Sequence, residues 1–147
     1  RIAIVGAGGV GGGFGAALAH AGADVTFIAR GAHLAAMQKD GLRVEGPRGN
    51  THLKPTNATD DPKKVGPVDY VLFCVKLWDV ESAGRHIKPM VGPQTAVIPL
   101  QNGIDAPERL IPILGATAVM GGVAQVSATI EAPGVIRQTG TFSRASP

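Results

Sequence analysis

Apolar residues in this chain come in short unbroken runs, each stopped by glycine or by a charged residue, and the runs alternate with longer segments of mixed polarity. Ile2 to Val5 is the first run and meets glycine at once, which predicts a strand buried on both faces, as a parallel sheet requires. Val10 to Ala21 follows as a helix rich in alanine, with Phe14 and Leu18 four residues apart, and Gly22-Ala23 ends it. Asp24 to Ala29 reads as the second strand and Ala32 to Lys39 as the second helix. Arg43 to Lys54 alternates around Gly46-Pro47-Arg48-Gly49-Asn50, the pattern of a hairpin.

After a polar stretch containing Asp60-Asp61-Pro62, Val68 to Val75 forms the longest continuous apolar strand, expected at the centre of the sheet. Trp78 to Ile87 reads as its crossover helix, with Trp78 packing that helix onto the sheet. Thr95 to Leu100 is the next strand, and Ala106 to Leu114 a helix that tolerates Pro107 in its first turn. Ala116 to Val123 reads as a further strand. Gln125 to Ile130 and Gly134 to Thr139 read as antiparallel pieces around Ala132-Pro133-Gly134. This alternation predicts an α/β fold: a doubly wound Rossmann-type sheet, mostly parallel, with short antiparallel additions near the C-terminus, built by residues 1–147 as one domain.

Composition narrows the function. The 147 residues are 44% hydrophobic and carry a formal charge of +3, with no basic run longer than Lys63-Lys64 and only 4% aromatic residues. A nucleic-acid groove concentrates its cations and interleaves stacking rings, so nucleic acid is excluded as a partner. Apolar runs fall short of membrane-spanning length and no secretory leader is visible, so a soluble, cytoplasmic protein is expected. Cys74, the single cysteine, lies in Val71-Leu72-Phe73-Cys74-Val75-Lys76 and reads as a buried, inert thiol. His20, His52 and His86 have no spacing that fits a metal site or a triad.

Seven glycines crowd the ten residues from Gly6 to Gly15. Gly6, Gly8 and Gly11 match G-x-G-x-x-G where a strand turns into a helix, the context that gives the motif its meaning. Gly6 permits the tight turn, Gly8 leaves the backbone bare for a pyrophosphate, and Gly11 lets the helix lie close to the strand. The stretch Gly6, Ala7, Gly8, Gly9, Val10, Gly11 is therefore the candidate phosphate cradle. Gly12, Gly13 and Gly15 each cost the helix about 0.5–1 kcal/mol, which implies close approach of the cofactor or of a neighbouring strand or domain.

The second strand ends at Arg30. A domain that binds NAD places a carboxylate there for the ribose 2′-hydroxyl, whereas a cation accommodates the 2′-phosphate of NADP. Asp24 lies at the wrong end of the strand and no other carboxylate follows until Asp40. Arg30 is thus the candidate clamp; His33, one turn later, reads as a solvated helix-start histidine, with joining Arg30 as the alternative. Ligands of open α/β sheets bind beyond the carboxyl ends of the strands, which picks out Lys76 and Gln101-Asn102-Gly103. Lys76 serves either the cofactor or a carboxylate substrate. Asn102 offers a donor and an acceptor to a ribose, a nicotinamide or a substrate hydroxyl.

The opening segment through Arg30-Gly31-Ala32-His33-Leu34, with Val71 to Val80, Leu100 to Ala106 and Gly121 to Ile136, resembles in joint occurrence and order the cofactor domain of the ketopantoate reductases (2-dehydropantoate 2-reductases). The resemblance covers nearly the whole chain. It implies NADPH-dependent reduction of ketopantoate to pantoate in pantothenate and coenzyme A biosynthesis. By the same resemblance the glycine loop holds the pyrophosphate, Arg30 the 2′-phosphate, Lys76 and Asn102 lie near nicotinamide and substrate, and Ser127 touches the cofactor. The family's proton-donating lysine belongs to a following helical domain that this chain lacks, so no catalytic residue is assigned within residues 1–147. Reduction of another 2-keto acid and a non-catalytic NADPH-binding module remain as alternative readings. A domain cut from its partner is expected to expose an apolar patch through which a homodimer could form.

Overall fold

The computed structural model describes residues 1–146. Five strands form a parallel sheet: β1 (Ile2–Val5), β2 (Val25–Ile28), β5 (Ala58–Thr59), β6 (Tyr70–Phe73) and β7 (Ala96–Pro99), in the order β5-β2-β1-β6-β7. The register pairs Ile2 with Val25 on one side and with Tyr70 on the other. The central strand is β1, and the long apolar run expected at the centre sits one place away as β6. All five strands run the same way, so Gly6, Arg30, Lys76 and Asn102 lie at one edge of the sheet. Among the described residues no helix is long and apolar enough to cross a membrane.

Alternation along β1 sorts the core into two halves. Ala3 and Val5 pack with Val71, Phe73 and Val97 against Val80 and Ile87 of the β6–β7 crossover and Leu110 of α5 (Ala106–Leu114). Ile4 faces the opposite way, with Phe27, Ala16, Met37, Leu42 and Ile136. On that side lie α1 (Gly9–His20) and α2 (Gly31–Asp40).

A second sheet covers α1 from outside. It consists of β3 (Leu42–Glu45), β4 (Thr51–Leu53), β8 (Val123–Ala132) and β9 (Val135–Ser146), in the order β4-β3-β9-β8. The hairpin read in the middle of the sequence is its β3–β4 edge. The antiparallel pieces near the C-terminus are longer than expected, and β9 also pairs in parallel with β3. α1 is therefore held between two sheets, which explains why its sequence has no polar face: Gly11, Gly12, Gly13, Gly15 and Ala16 are all buried.

Other departures concern short elements. Ala116 to Val123 is not one strand: its last residue opens β8, and before it the segment makes a single bridge, from Val119 to Val97. The segment touches the outer edge of β7 only around Val97, through the Ala118 carbonyl and the Met120 amide, too brief a contact to make a strand. β5, two residues inside the polar stretch, was not expected; it is recruited by pairing with Phe27 and Ile28. Next comes the short helix α3 (Pro62–Val65), capped by Asp61, which accepts a hydrogen bond from the Lys63 amide at 3.0 Å. The crossover read as one helix is a 3-10 turn, Leu77–Asp79, followed by α4 (Val80–His86). Trp78 does not pack that helix on the sheet: it is 77% exposed, and the fully buried Val80 takes the contact instead.

Candidate functional site

The glycine turn begins where β1 ends. Gly6 has φ +89°, a conformation that L side chains rarely adopt, and a Cβ there would come within 2.9 Å of the Cys74 carbonyl carbon and the Val75 nitrogen. Ala7 is buried behind the turn and Val10 is half-buried in the first turn of α1. Gly8 caps α1 without a side-chain hydrogen bond, and the first bond of the helix runs from the Gly12 amide to the Gly8 carbonyl at 2.6 Å. The amides of Gly9, Val10 and Gly11 precede it and have no partner within the helix. No atom lies within 4 Å of a Cβ built on Gly8, so the space over this helix end is open.

The remaining glycines divide between the two sheets. A Cβ on Gly11 would strike the Gly6 carbonyl, and one on Gly15 would strike the ring of Phe27, both on the parallel-sheet side. A Cβ on Gly12 would meet Ile136 and one on Gly13 would meet Gln138, both on β9. Gly9 answers to β8, since a Cβ there would collide with the Ala128 carbonyl. The close approach anticipated for the helix glycines is therefore made by protein on both sides.

Arg30 leaves β2 with its side chain 86% exposed, and its Nη2 lies 3.2 Å from Oδ2 of Asp79 in the 3-10 turn after β6. The pair joins the exits of the two strands that flank β1. Lys76 opens that turn, exposed, with its carbonyl accepting from the Asp79 amide at 2.9 Å. Asn102 is exposed beyond β7, next to Gly103 with φ +99°. Ser127 is exposed on β8, 2.8 Å from the Thr139 hydroxyl, at a register shift between Val126 and Ala128. The parallel sheet thus brings Gly6 to Gly11, Arg30, Lys76 and Asn102 to one edge, while Ser127 arrives by way of the second sheet, one residue from the contact on Gly9.

Four groups have contacts here that the sequence alone did not assign. Asp79 is one. His33 is another: half-buried rather than simply solvated, its Nδ1 accepts from the Gly134 amide at 3.0 Å. Its Nε2, 2.8 Å from the Ala7 carbonyl, is then the donor. Ala128 is the third. The fourth is Gln101, whose Nε2 donates to the Phe73 carbonyl at 2.9 Å, while its Oε1 is buried with no partner among the described residues. A polar residue directly behind an apolar strand is the signal that points to Gln101; for the other three the signal is tertiary. Burial around the Cys74 thiol pushes it up to about 12, which disfavours the thiolate.

A parallel sheet whose central strand passes through a glycine turn into a helix with unused amides defines a Rossmann-type domain. Comparison with known proteins narrows this. The chain belongs to the family described as ketopantoate reductase PanE/ApbA, whose model matches residues 2–145. A 2-dehydropantoate 2-reductase of Mesorhizobium japonicum is 32% identical, over 93% of this chain and 48% of that protein. One from Pyrococcus horikoshii is 36% identical, over 95% and 44%. The crystal structure of 2-dehydropantoate 2-reductase from Porphyromonas gingivalis W83 superposes with a TM-score of 0.88 at 44% identity, covering 98% of this chain and 52% of that one. The chain spans about half the length of the relatives it matches.

Proposed function

We propose that this chain is the cofactor-binding part of an NADPH-dependent 2-dehydropantoate 2-reductase, which reduces ketopantoate to pantoate on the way to pantothenate and coenzyme A. The residues present fit a dinucleotide: the helix end at Gly8 is open, the amides behind it are unused, and Gln101 Oε1 is an orphaned acceptor at the same sheet edge. When bound, the reduced nicotinamide supplies the hydride for the keto carbon.

The chain's own residues bind and orient. The bare backbone from Gly6 through Ala7, Gly8, Gly9 and Val10 to Gly11, with the positive end of α1 behind it, receives the pyrophosphate. Arg30 takes the 2′-phosphate of NADP through a charge-assisted hydrogen bond. Lys76 and Asn102 serve the nicotinamide half and the 2-keto acid, and Ser127 adds a cofactor contact from β8. The proton required at the substrate oxygen is assigned to the lysine of the helical domain that follows in this family.

The observation that carries this reading is a cation, where an NAD domain has a carboxylate, at the exit of the strand beside the glycine turn. Titration of the full-length protein tests it. Arg30→Asp is expected to weaken NADPH binding about 10- to 100-fold, the size of a lost hydrogen bond to a charged group, and to narrow or reverse the preference over NADH. An unchanged preference overturns the clamp. Turnover of ketopantoate against a panel of other 2-keto acids, read by loss of reduced nicotinamide, tests the substrate; faster turnover of another acid overturns that part.

A further inference from the structure

Arg30 is not a bare cation waiting for a phosphate. Its guanidinium lies against a carboxylate, and the two partners are held very differently. Asp79 sits in a fixed turn: its amide donates to the Lys76 carbonyl at 2.9 Å, its carbonyl accepts from Ser82 Oγ at 3.0 Å, and its side chain is only 28% exposed. Arg30 stands in extended backbone ahead of α2, and Asp79 is its one ion-pair partner among the described residues.

Its location gives the pair its meaning. β2 and β6 flank β1, so the ion pair reaches across the strand whose exit carries the glycine turn. A 2′-phosphate drawn to Arg30 finds guanidinium donors besides the one that Asp79 takes, but it has to lie beside that negative charge. A 2′-hydroxyl meets the opposite situation, because a carboxylate at this edge is the acceptor that a ribose of NAD uses. The two nucleotides therefore meet one site with opposite electrostatics.

We infer that Asp79 is a specificity-determining residue that weakens the preference for NADPH over NADH, by repelling the 2′-phosphate held at Arg30 and by accepting the 2′-hydroxyl of NADH. The inference rests on the assignment of Arg30 as the phosphate clamp, and the experiment separates the two. The full-length protein, with its Asp79→Asn and Arg30→Ala variants, is titrated with NADPH and NADH by the quenching of its intrinsic fluorescence, at low and moderate salt. Asp79→Asn keeps the shape of the turn and is expected to tighten NADPH on the order of tenfold at low salt, the scale of one unit charge a few ångströms from another in water. NADH is expected to bind no tighter, and the gain shrinks as salt is added. Asp79→Ser serves as a second variant should Asn disturb folding, with the same expected direction.

If Arg30→Ala loses NADPH affinity but both Asp79 variants leave it within twofold, Asp79 has no part in selection and this inference fails while the clamp stands. Weaker NADPH binding in the Asp79 variants also overturns it, since Asp79 would then be orienting Arg30 for the phosphate. If Arg30→Ala leaves NADPH affinity unchanged, the clamp and this inference fall together.

Discussion

One imidazole ties the first turn of the chain to its last hairpin. His33 donates to the Ala7 carbonyl and accepts from the Gly134 amide, with both contacts half-buried. Removing such a bridge leaves a buried donor and acceptor unpaired, at a cost of about 1–3 kcal/mol. His33→Ala is expected to lower stability by that amount and to weaken binding of reduced dinucleotide, because Ala7 lies inside the glycine turn. Gln carries a donor and an acceptor on one side chain, so His33→Gln recovers part of both effects. Thermal unfolding and cofactor titration check the pair of variants. At this scale the sequence is legible where a residue type is needed for its own sake. Gly6 is glycine because of its backbone angle, and Arg30 ends its strand as a cation. His33 and Asp79 owe their roles to partners distant in the chain, and no local pattern marks them.

Between elements, the best-defined ion pair joins α4 to α5. Arg109 holds Glu81 in a two-pronged contact, Nε to Oε1 at 2.6 Å and Nη2 to Oε2 at 2.7 Å. Those hydrogen bonds, with help from the Glu81 backbone amide, hold its carboxyl down to about 2 from an ordinary 4.5. A depressed carboxyl favours the folded state above its unfolded value, and the advantage is lost as pH falls through the folded value. The contribution is therefore complete above about pH 4.5 and disappears toward about pH 2. Glu81→Gln is expected to flatten the acid limb of stability in that window and to lower neutral stability by the same amount, a modest one because the pair is partly exposed. Denaturant midpoints measured across that range check it. The elements themselves were largely legible, since β1, β2, β6 and β7 are apolar runs and α5 matches its expected span. β5 and the bridge at Val119 were misread because so short a segment becomes a strand, or fails to, according to the neighbour that offers it hydrogen bonds.

Across the whole molecule, the two sheets meet through α1, and the glycines on its two sides set how closely they come. Gly9→Ala is expected to cost about 1–3 kcal/mol, as overpacking does, because the Cβ presses on the Ala128 backbone and no side chain there is able to yield. The same change pushes β8 from the glycine turn, so binding of reduced dinucleotide should fall along with the unfolding temperature; unchanged values of both would refute the packing role. The alternation of the main strands and helices, the glycine turn and the cation at the exit of β2 follow from the sequence by itself, because each depends on periodicity, turn chemistry or residue type over a few neighbouring positions. The second sheet wrapped over α1, the service of its glycines to protein on both faces, and the pairing of Arg30 with Asp79 were decided by tertiary structure. Those contacts bring together segments far apart in the chain, and local pattern carries no record of which distant backbone will arrive.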